Sequence, residues 1–146
     1  DFLQKYFKKE LFFTDVEGKT KDEVLKNLCR KVEKEKGLPE TFTASVLKRE
    51  ELTPTDYGNL VALPHPERAF QERAFVAVAV LKEPIFWFRQ KVQVVFLTAI
   101  GREEDENLQQ FYEATTDLIL RPADVQNLIR HPDYDRLIQL LRRAEE

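Results

Sequence analysis

The sequence of 146 residues predicts an α/β fold, in which a mixed sheet of about five strands is flanked by helices on both faces. Three nearly continuous apolar runs, 60–63, 75–81 and 92–100, are typical of strands that are covered on both sides. Amphipathic segments precede and follow these runs, at the spacing expected of helices. A layer of helices on each face of a central sheet accounts for both observations.

The first half of the chain predicts a short helix, a short strand and two longer helices. Apolar residues at 2, 3, 6 and 7 recur at helical spacing, and residues 11–13 then read as a strand. Thr20 and Glu23 form a capping box that predicts a helix over 20–36, ended by Gly37. Pro39 can open a second helix that ends before Thr53. Cys29 lies on the apolar stripe of the first long helix, which predicts a buried thiol.

The second half predicts the centre of the sheet and a helical C-terminal third. Residues 84–88 lie between the second and third apolar runs, where the short connection permits either a hairpin or an edge strand. Four consecutive acids at 103–106 suit the positive end of a helix, which predicts a helix over 103–120. Pro122 and Pro132 each mark the start of a further short helix.

Composition favours a soluble globular protein and argues against several classes of partner. Hydrophobic residues make up 42% and charged residues 34% of the sequence, and the net charge is -3. We therefore expect neither direct nucleic-acid binding nor membrane insertion. One cysteine excludes an internal disulfide and suits the cytoplasm, where we expect the protein to reside. Residues 1–146 read as a single domain, and the absence of any methionine suggests a module of a longer chain.

A histidine between two prolines is the segment best suited to chemistry. The run 60–66 ends in Pro64-His65-Pro66, where each proline fixes its own φ and restricts the residue before it. A pre-positioned imidazole can act as a nucleophile, a general base or a metal ligand. The alternative is that the prolines simply end a buried strand. No second histidine at a useful spacing supports a metal site, since His131 precedes Pro132 and reads as a loop residue.

Three further polar residues are candidates to serve this histidine. Arg49 and Glu50 fall on the apolar face of the second long helix, so they either pair with each other or point into a functional cleft. The alternative is that the helix has frayed there and Arg49 complements its C-terminal dipole. Asn107 is predicted in the first turn of the later helix, at the margin of its buried side, where it could donate to an anion or serve only as a surface or capping residue.

A family resemblance combines these candidates. The signature consists of Arg49-Glu50, Thr55, Gly58 and Val61-Ala62-Leu63-Pro64-His65. It resembles the active-site signature of the fructose- and mannitol-type enzyme IIA domains of the bacterial phosphoenolpyruvate-dependent sugar phosphotransferase system. The resemblance extends over nearly the whole chain and implies the mannitol-type enzyme IIA fold.

The resemblance implies a phosphoryl-transfer role for the site. His65 would accept a phosphoryl group from the phosphorylated histidine-containing phosphocarrier protein, with Arg49 stabilising the transferring charge. Thr55 and Asn107 would aid phosphate binding, and neither a metal nor a cofactor is required. The physics of phosphoryl transfer agrees, because it depends chiefly on positioning and electrostatic stabilisation.

Two departures from the family pattern favour a regulatory role. Pro66 stands where the family has a small residue, and Asn107 stands where mannitol-type carriers have a second histidine, which could exchange a proton. The chain thus looks more like the enzyme IIA-like domain of antiterminators and transcriptional regulators with duplicated regulation domains, whose partners would include other domains of the same regulator. The alternatives are a transport component that passes phosphate to a IIB partner, and a non-catalytic interaction module.

Overall fold

A computed structural model describes residues 2–145 as a five-stranded mixed sheet with six helices. The helices are α1 (Leu3–Tyr6), α2 (Lys21–Lys36), α3 (Thr41–Leu52), α4 (Leu108–Ile119), α5 (Pro122–Arg130) and α6 (Tyr134–Glu145). The strands are β1 (Phe7–Phe13), β2 (Asp56–Gly58), β3 (Val61–Ala62), β4 (Phe75–Phe86) and β5 (Lys91–Ala99). The predicted α/β class is confirmed.

The sheet has the strand order β1-β4-β5-β3-β2, so the three predicted apolar runs supply its three inner strands. β1 is parallel to β4 and β3 is parallel to β5, whereas the β4–β5 and β2–β3 pairs are antiparallel. Ile85 pairs with Val92 and Phe86 with Lys91, so the hairpin alternative for residues 84–88 is the one that forms. β2 is a short edge strand that the sequence pattern did not predict.

Alternating side chains of the sheet pack against helices on opposite faces. Val76, Val78 and Val80 of β4 join a core with α1, α4, α5 and α6. Ala77 and Ala79 point the other way, into a core formed with α2 and α3. Both faces of the inner strands are therefore buried, which explains why their sequences are almost continuously apolar.

The N-terminus of α2 is capped as the sequence predicts. The backbone N–H of Glu23 donates to Thr20 Oγ1 at 3.2 Å, and the Glu23 carboxylate accepts from the backbone N–H of Lys19 at 2.8 Å. The carboxylate of Glu23 therefore binds the N–H of the residue before the N-cap, not the N–H of the N-cap residue Thr20 itself. Gly37 ends the helix at φ +65°, a left-handed conformation that favours glycine. Cys29 is fully buried, and burial raises the pKa of its thiol.

The predicted start of the later helix was wrong by five residues. α4 begins at Leu108, so the acids at 103–106 lie in a preceding turn rather than in the first turn of a helix. The backbone N–H groups of Arg102 and Glu103 donate to the carbonyls of Gln71 and Glu72, which holds this turn against another loop. Those tertiary bonds outweigh the electrostatic preference of the acids for a helix N-terminus.

Three other boundaries differ from the predictions by a few residues. Phe7 begins β1 instead of continuing the first helix, and α6 begins at Tyr134 rather than beside Pro132. Leu60 has φ +69° and Asn59 has φ +52°, so these two residues form the turn of the β2–β3 hairpin and Leu60 is not a strand residue. Within residues 2–145, no helix combines the length and the apolar character needed to span a bilayer.

Replacing Thr20 with alanine is expected to lower the free energy of unfolding by about 1 kcal/mol, because the N–H of Glu23 loses its capping acceptor. Urea denaturation of the two proteins measures the difference. Thr41→Ala is the matched control, since Thr41 is exposed in α3 and its side chain has no hydrogen bond among the described residues. An equal loss in the control would rule out the cap as the cause.

Candidate functional site

The backbone around His65 is held from two sides. The N–H of Leu63 donates to the carbonyl of Thr55 at 3.0 Å, and the carbonyl of Pro64 accepts from the N–H of Thr98 in β5 at 3.0 Å. Pro64 and Pro66 are both buried, while His65 is half-buried. The imidazole thus lies just beyond the C-terminal end of β3, on a backbone with little freedom to move.

The hydrogen bond of the imidazole determines which ring nitrogen is available. Nδ1 of His65 lies 3.0 Å from the carbonyl oxygen of Pro66. A carbonyl oxygen only accepts, so Nδ1 is the protonated nitrogen in this arrangement. Nε2 then carries the lone pair, and it is the nitrogen that can act as a nucleophile or a base.

His65 lines two cavities. The larger has a volume of about 540 Å³ and contains both arginines of the site, Arg49 and Arg68. The smaller has a volume of about 320 Å³ and is lined mostly by apolar and hydroxyl side chains, including Phe111 and Tyr112 of α4. Burial raises the pKa of Tyr112, so its hydroxyl stays protonated and can donate. The two cavities therefore differ in charge, because the smaller one is lined by no Arg, Lys, Asp or Glu of the described residues.

Arg49 reaches the larger cavity from the end of α3. Its Nη1 donates to the carbonyl of Thr53 at 2.9 Å, just beyond the last helical residue. The helix has not frayed at Arg49, because α3 continues to Leu52. The side chain nevertheless satisfies a carbonyl at the C-terminal end and also lines a cleft. Its other N–H groups have no hydrogen bond to the described residues, and a guanidinium has five donors. Arg49 is not ion-paired with Glu50 in the described chain.

Glu50 instead forms the most buried polar contact of this region, with a side chain that is 1% exposed. One carboxylate oxygen accepts from the hydroxyl of Thr55 at 2.7 Å. The other accepts from the backbone N–H of Thr55 at 2.6 Å and from Nε1 of Trp87 at 3.0 Å. Since the carbonyl of Thr55 also binds Leu63, Glu50 fixes the segment that pairs with the His65 strand.

Two predicted site residues lie outside both cavities. Thr55 uses its hydroxyl for Glu50, as described above. Asn107 precedes α4, where its amide donates to Gln110 at 2.9 Å and its carbonyl oxygen accepts from Lys5 at 3.4 Å. Neither side chain lines a cavity with His65, so the structure brings together only His65 and Arg49 of the four predicted residues.

The structure also adds residues to the site that the sequence did not reveal. Arg68, Thr98 and Ile100 line the larger cavity, and the last two also line the smaller one. Arg68 follows His65 by three positions, so the short Pro-Glu-Arg sequence was a usable signal. Thr98 and Ile100 lie in or beside β5, and only the parallel pairing of β3 with β5 places them near His65. Among residues 2–145, no three His, Cys, Asp or Glu side chains are grouped closely enough to bind a metal ion.

The chain is similar to a known protein family and to two bacterial regulators. Residues 5–144 match the family model described as "Phosphoenolpyruvate-dependent sugar phosphotransferase system, EIIA 2". The chain is 37% identical over 133 residues to the probable licABCH operon regulator of Bacillus subtilis (strain 168), which covers 91% of this chain and 21% of that protein. It is 27% identical over 120 residues to the transcriptional regulator ManR of the same organism, covering 82% of this chain and 18% of ManR. The chain thus spans about a fifth of the length of these relatives.

Solved structures show the same fold at low sequence identity. The nitrogen regulatory protein IIA-Ntr from Neisseria meningitidis superposes with a TM-score of 0.77 at 19% identity, covering 97% of this chain and 99% of that one. The crystal structure of IIA mannitol from Escherichia coli gives a TM-score of 0.72 at 19% identity, covering 90% of this chain and 96% of that one. These likenesses confirm the predicted mannitol-type architecture.

Replacing Glu50 with alanine is expected to lower the free energy of unfolding by about 3 kcal/mol, because three donors lose their buried acceptor. Trp87 is the only tryptophan, so its fluorescence should shift to longer wavelength as water reaches Nε1. Chemical denaturation and emission spectra measure the two effects.

Glu51→Ala is the matched control for this substitution, since Glu51 is exposed on the same helix and its carboxylate has no hydrogen bond within residues 2–145. Its stability and emission should stay within error of the wild type. Unchanged stability in Glu50→Ala would contradict the anchoring role assigned to this carboxylate.

Proposed function

Because this chain belongs to the type 2 enzyme IIA family of the phosphoenolpyruvate-dependent sugar phosphotransferase system, we propose that it is a histidine phosphoacceptor domain. The phosphoryl donor is the phosphorylated histidine of the histidine-containing phosphocarrier protein. The observation that supports this role most directly is that His65, whose Nδ1 is hydrogen-bonded to the carbonyl of Pro66, lines the same cavity as Arg49.

In the proposed reaction, the lone pair on Nε2 of His65 forms a new N–P bond. The N–P bond of the donor histidine breaks at the same time, and its electron pair returns to the donor ring nitrogen. The proton on Nδ1 stays on His65, where the carbonyl of Pro66 accepts it in a hydrogen bond and stabilises the positive charge of the phosphorylated ring. No proton has to cross between the proteins, and the transfer needs no further reactant.

Arg49 supplies positive charge to the transferring group. The transition state of phosphoryl transfer spreads its charge over three oxygens, and a planar guanidinium can contact two of them at once. The bond from Nη1 to Thr53 fixes the side chain and leaves other N–H groups for the phosphate. Phosphate contacts by Thr55 and Asn107 stay predictions, and the bond of Thr55 to Glu50 favours a positioning role for that residue.

The donor protein would dock on apolar side chains beside His65. Leu52 is 71% exposed and Ile100 is 46% exposed, and both line the larger cavity. Tyr112 is 36% exposed and lines the smaller cavity. A rim of a few such residues suits a small and transient contact, which a carrier that must leave after transfer requires.

We further propose that the chain is one domain of a cytoplasmic transcriptional regulator, in which phosphorylation of His65 is reported to other domains. The 37% identity to a probable operon regulator supports this choice over a transport component that passes phosphate to a IIB partner. Asn107 supports it too, because an amide cannot exchange a proton as a second histidine could. The buried, free Cys29 is compatible with a reducing compartment.

Replacing His65 with alanine is expected to abolish phosphorylation by phosphoenolpyruvate and the two general proteins of the phosphotransferase system, because Nε2 is the acceptor atom. Acid-labile radioactive phosphate bound to the protein measures the transfer. His131→Ala is the matched control and should label fully, since His131 is the only other histidine and is exposed at the end of α5. A wild-type protein that takes up no phosphate would instead favour a non-catalytic interaction module.

Replacing Arg49 with alanine is expected to slow phosphorylation by more than about tenfold, since the transferring oxygens lose a charged donor. The fold should persist, because Arg49 is only partly buried. Rapid-quench labelling gives the rate, and circular dichroism reports the fold. Lys48→Ala removes a neighbouring exposed charge and should leave the rate unchanged. Equal rates in Arg49→Ala and wild type would exclude Arg49 from the mechanism.

A further inference from the structure

A second arginine lies in the larger cavity, and its surroundings differ from those of an ordinary surface arginine. Arg68 lines this cavity together with His65 and Arg49. Its guanidinium carbon lies 3.9 Å from the centroid of the Phe70 ring. Such a stack is a favourable cation–π contact that restricts the orientation of the guanidinium plane.

The loop that contains Arg68 is anchored at both ends. The backbone N–H of Glu67 donates to the hydroxyl of Ser45 at 2.7 Å, and Ser45 is buried in α3. The Phe70 ring packs edge-on against Phe42, with 5.4 Å between centroids, and Phe42 is fully buried. The aromatic surface under Arg68 is therefore part of the α3 core.

The stack leaves most N–H groups of Arg68 unused. Its only hydrogen bond within residues 2–145 runs from Nη1 to the carbonyl of Ala69 at 3.5 Å, the limit for such a bond. No carboxylate of the described chain lies within ion-pairing distance of it, whereas the exposed Arg102 is paired with Glu72 at 2.8 Å. The Phe70 ring contacts the flat face of the guanidinium, so the N–H groups along the edge of the guanidinium remain free to bind an anion.

The charge of the cavity also favours an anionic group. Arg49 and Arg68 contribute two positive charges, and Glu67 is the one carboxylate among the described residues that line the cavity. One donor of Arg49 is already used for Thr53. A guanidinium contacts two phosphoryl oxygens at once through one edge, so a second arginine can place a charged donor at the third oxygen.

We propose that Arg68, stacked on Phe70, is a second phosphate-binding arginine that contacts the phosphoryl group on His65. The inference rests on the phosphoacceptor role proposed above. During transfer the N–P bond forms at Nε2 of His65 as described there, and Arg68 stabilises the negative charge on the phosphoryl oxygens without exchanging a proton.

The test compares two phosphoryl donors of different size, the phosphorylated carrier protein and the small molecule phosphoramidate. Arg68→Ala should slow labelling of His65 by about tenfold with both donors, a smaller loss than for a fully buried donor because the side chain is exposed to solvent. Arg68→Lys should recover part of the rate, since it keeps the charge but loses the planar fork. Phe70→Leu should give a smaller loss, because the guanidinium is present but no longer oriented.

Arg73→Ala is the matched control, since Arg73 lies in the same connection between β3 and β4, is 89% exposed and does not line the cavity. It should label at the wild-type rate. A loss seen with the carrier alone would mean that Arg68 contacts the donor protein, which would overturn the proposal. Equal labelling of Arg68→Ala and wild type by phosphoramidate would also overturn it while leaving the phosphoacceptor role intact. If neither donor labels the wild type, both the role of Arg68 and the phosphoacceptor role of His65 are wrong.

Discussion

The buried carboxylate of Glu50 joins three parts of the chain near His65. It accepts hydrogen bonds from Thr55 and from Trp87, so the end of α3, the turn after it and the β4–β5 hairpin are fixed to one point. A carboxylate at this depth is tolerated only because its oxygens have partners. The carbonyl of Thr55 accepts a hydrogen bond from the N–H of Leu63, two residues before the histidine. The contacts of Glu50 therefore also hold the segment that leads to His65.

The backbone and the ring of His65 are also held in place. Two prolines and a bond to Thr98 fix the backbone, and the carbonyl of Pro66 fixes the proton on Nδ1. A site arranged in this way loses little conformational entropy when a partner binds, because its reactive atom is already placed. Of the two cavities that His65 lines, one contains two arginines and the other contains no Arg, Lys, Asp or Glu of the described residues.

The sequence predicted much of the fold for identifiable reasons. The capping box at Thr20 and the continuous apolar runs are local or strongly patterned signals, and α2 and the inner strands follow them. The acids at 103–106 failed as a helix signal because a tertiary backbone contact with residues 71 and 72 competes with the helix. β2 and the left-handed turn at Leu60 gave no pattern, since a three-residue edge strand is too short to show a period.

By itself the sequence identified the candidate reactive groups, because Pro64-His65-Pro66 and the charged residues at 49 and 50 are visible as residue types in an unusual setting. Tertiary structure alone decided which of them meet. Arg49 and His65 line one cavity, whereas Thr55 and Asn107 lie outside it. Glu50 accepts a hydrogen bond from Trp87. Arg68, which stacks on Phe70, also lines the cavity. The reason is that a side chain's partner depends on strand order and register, which set contacts between residues far apart in the chain.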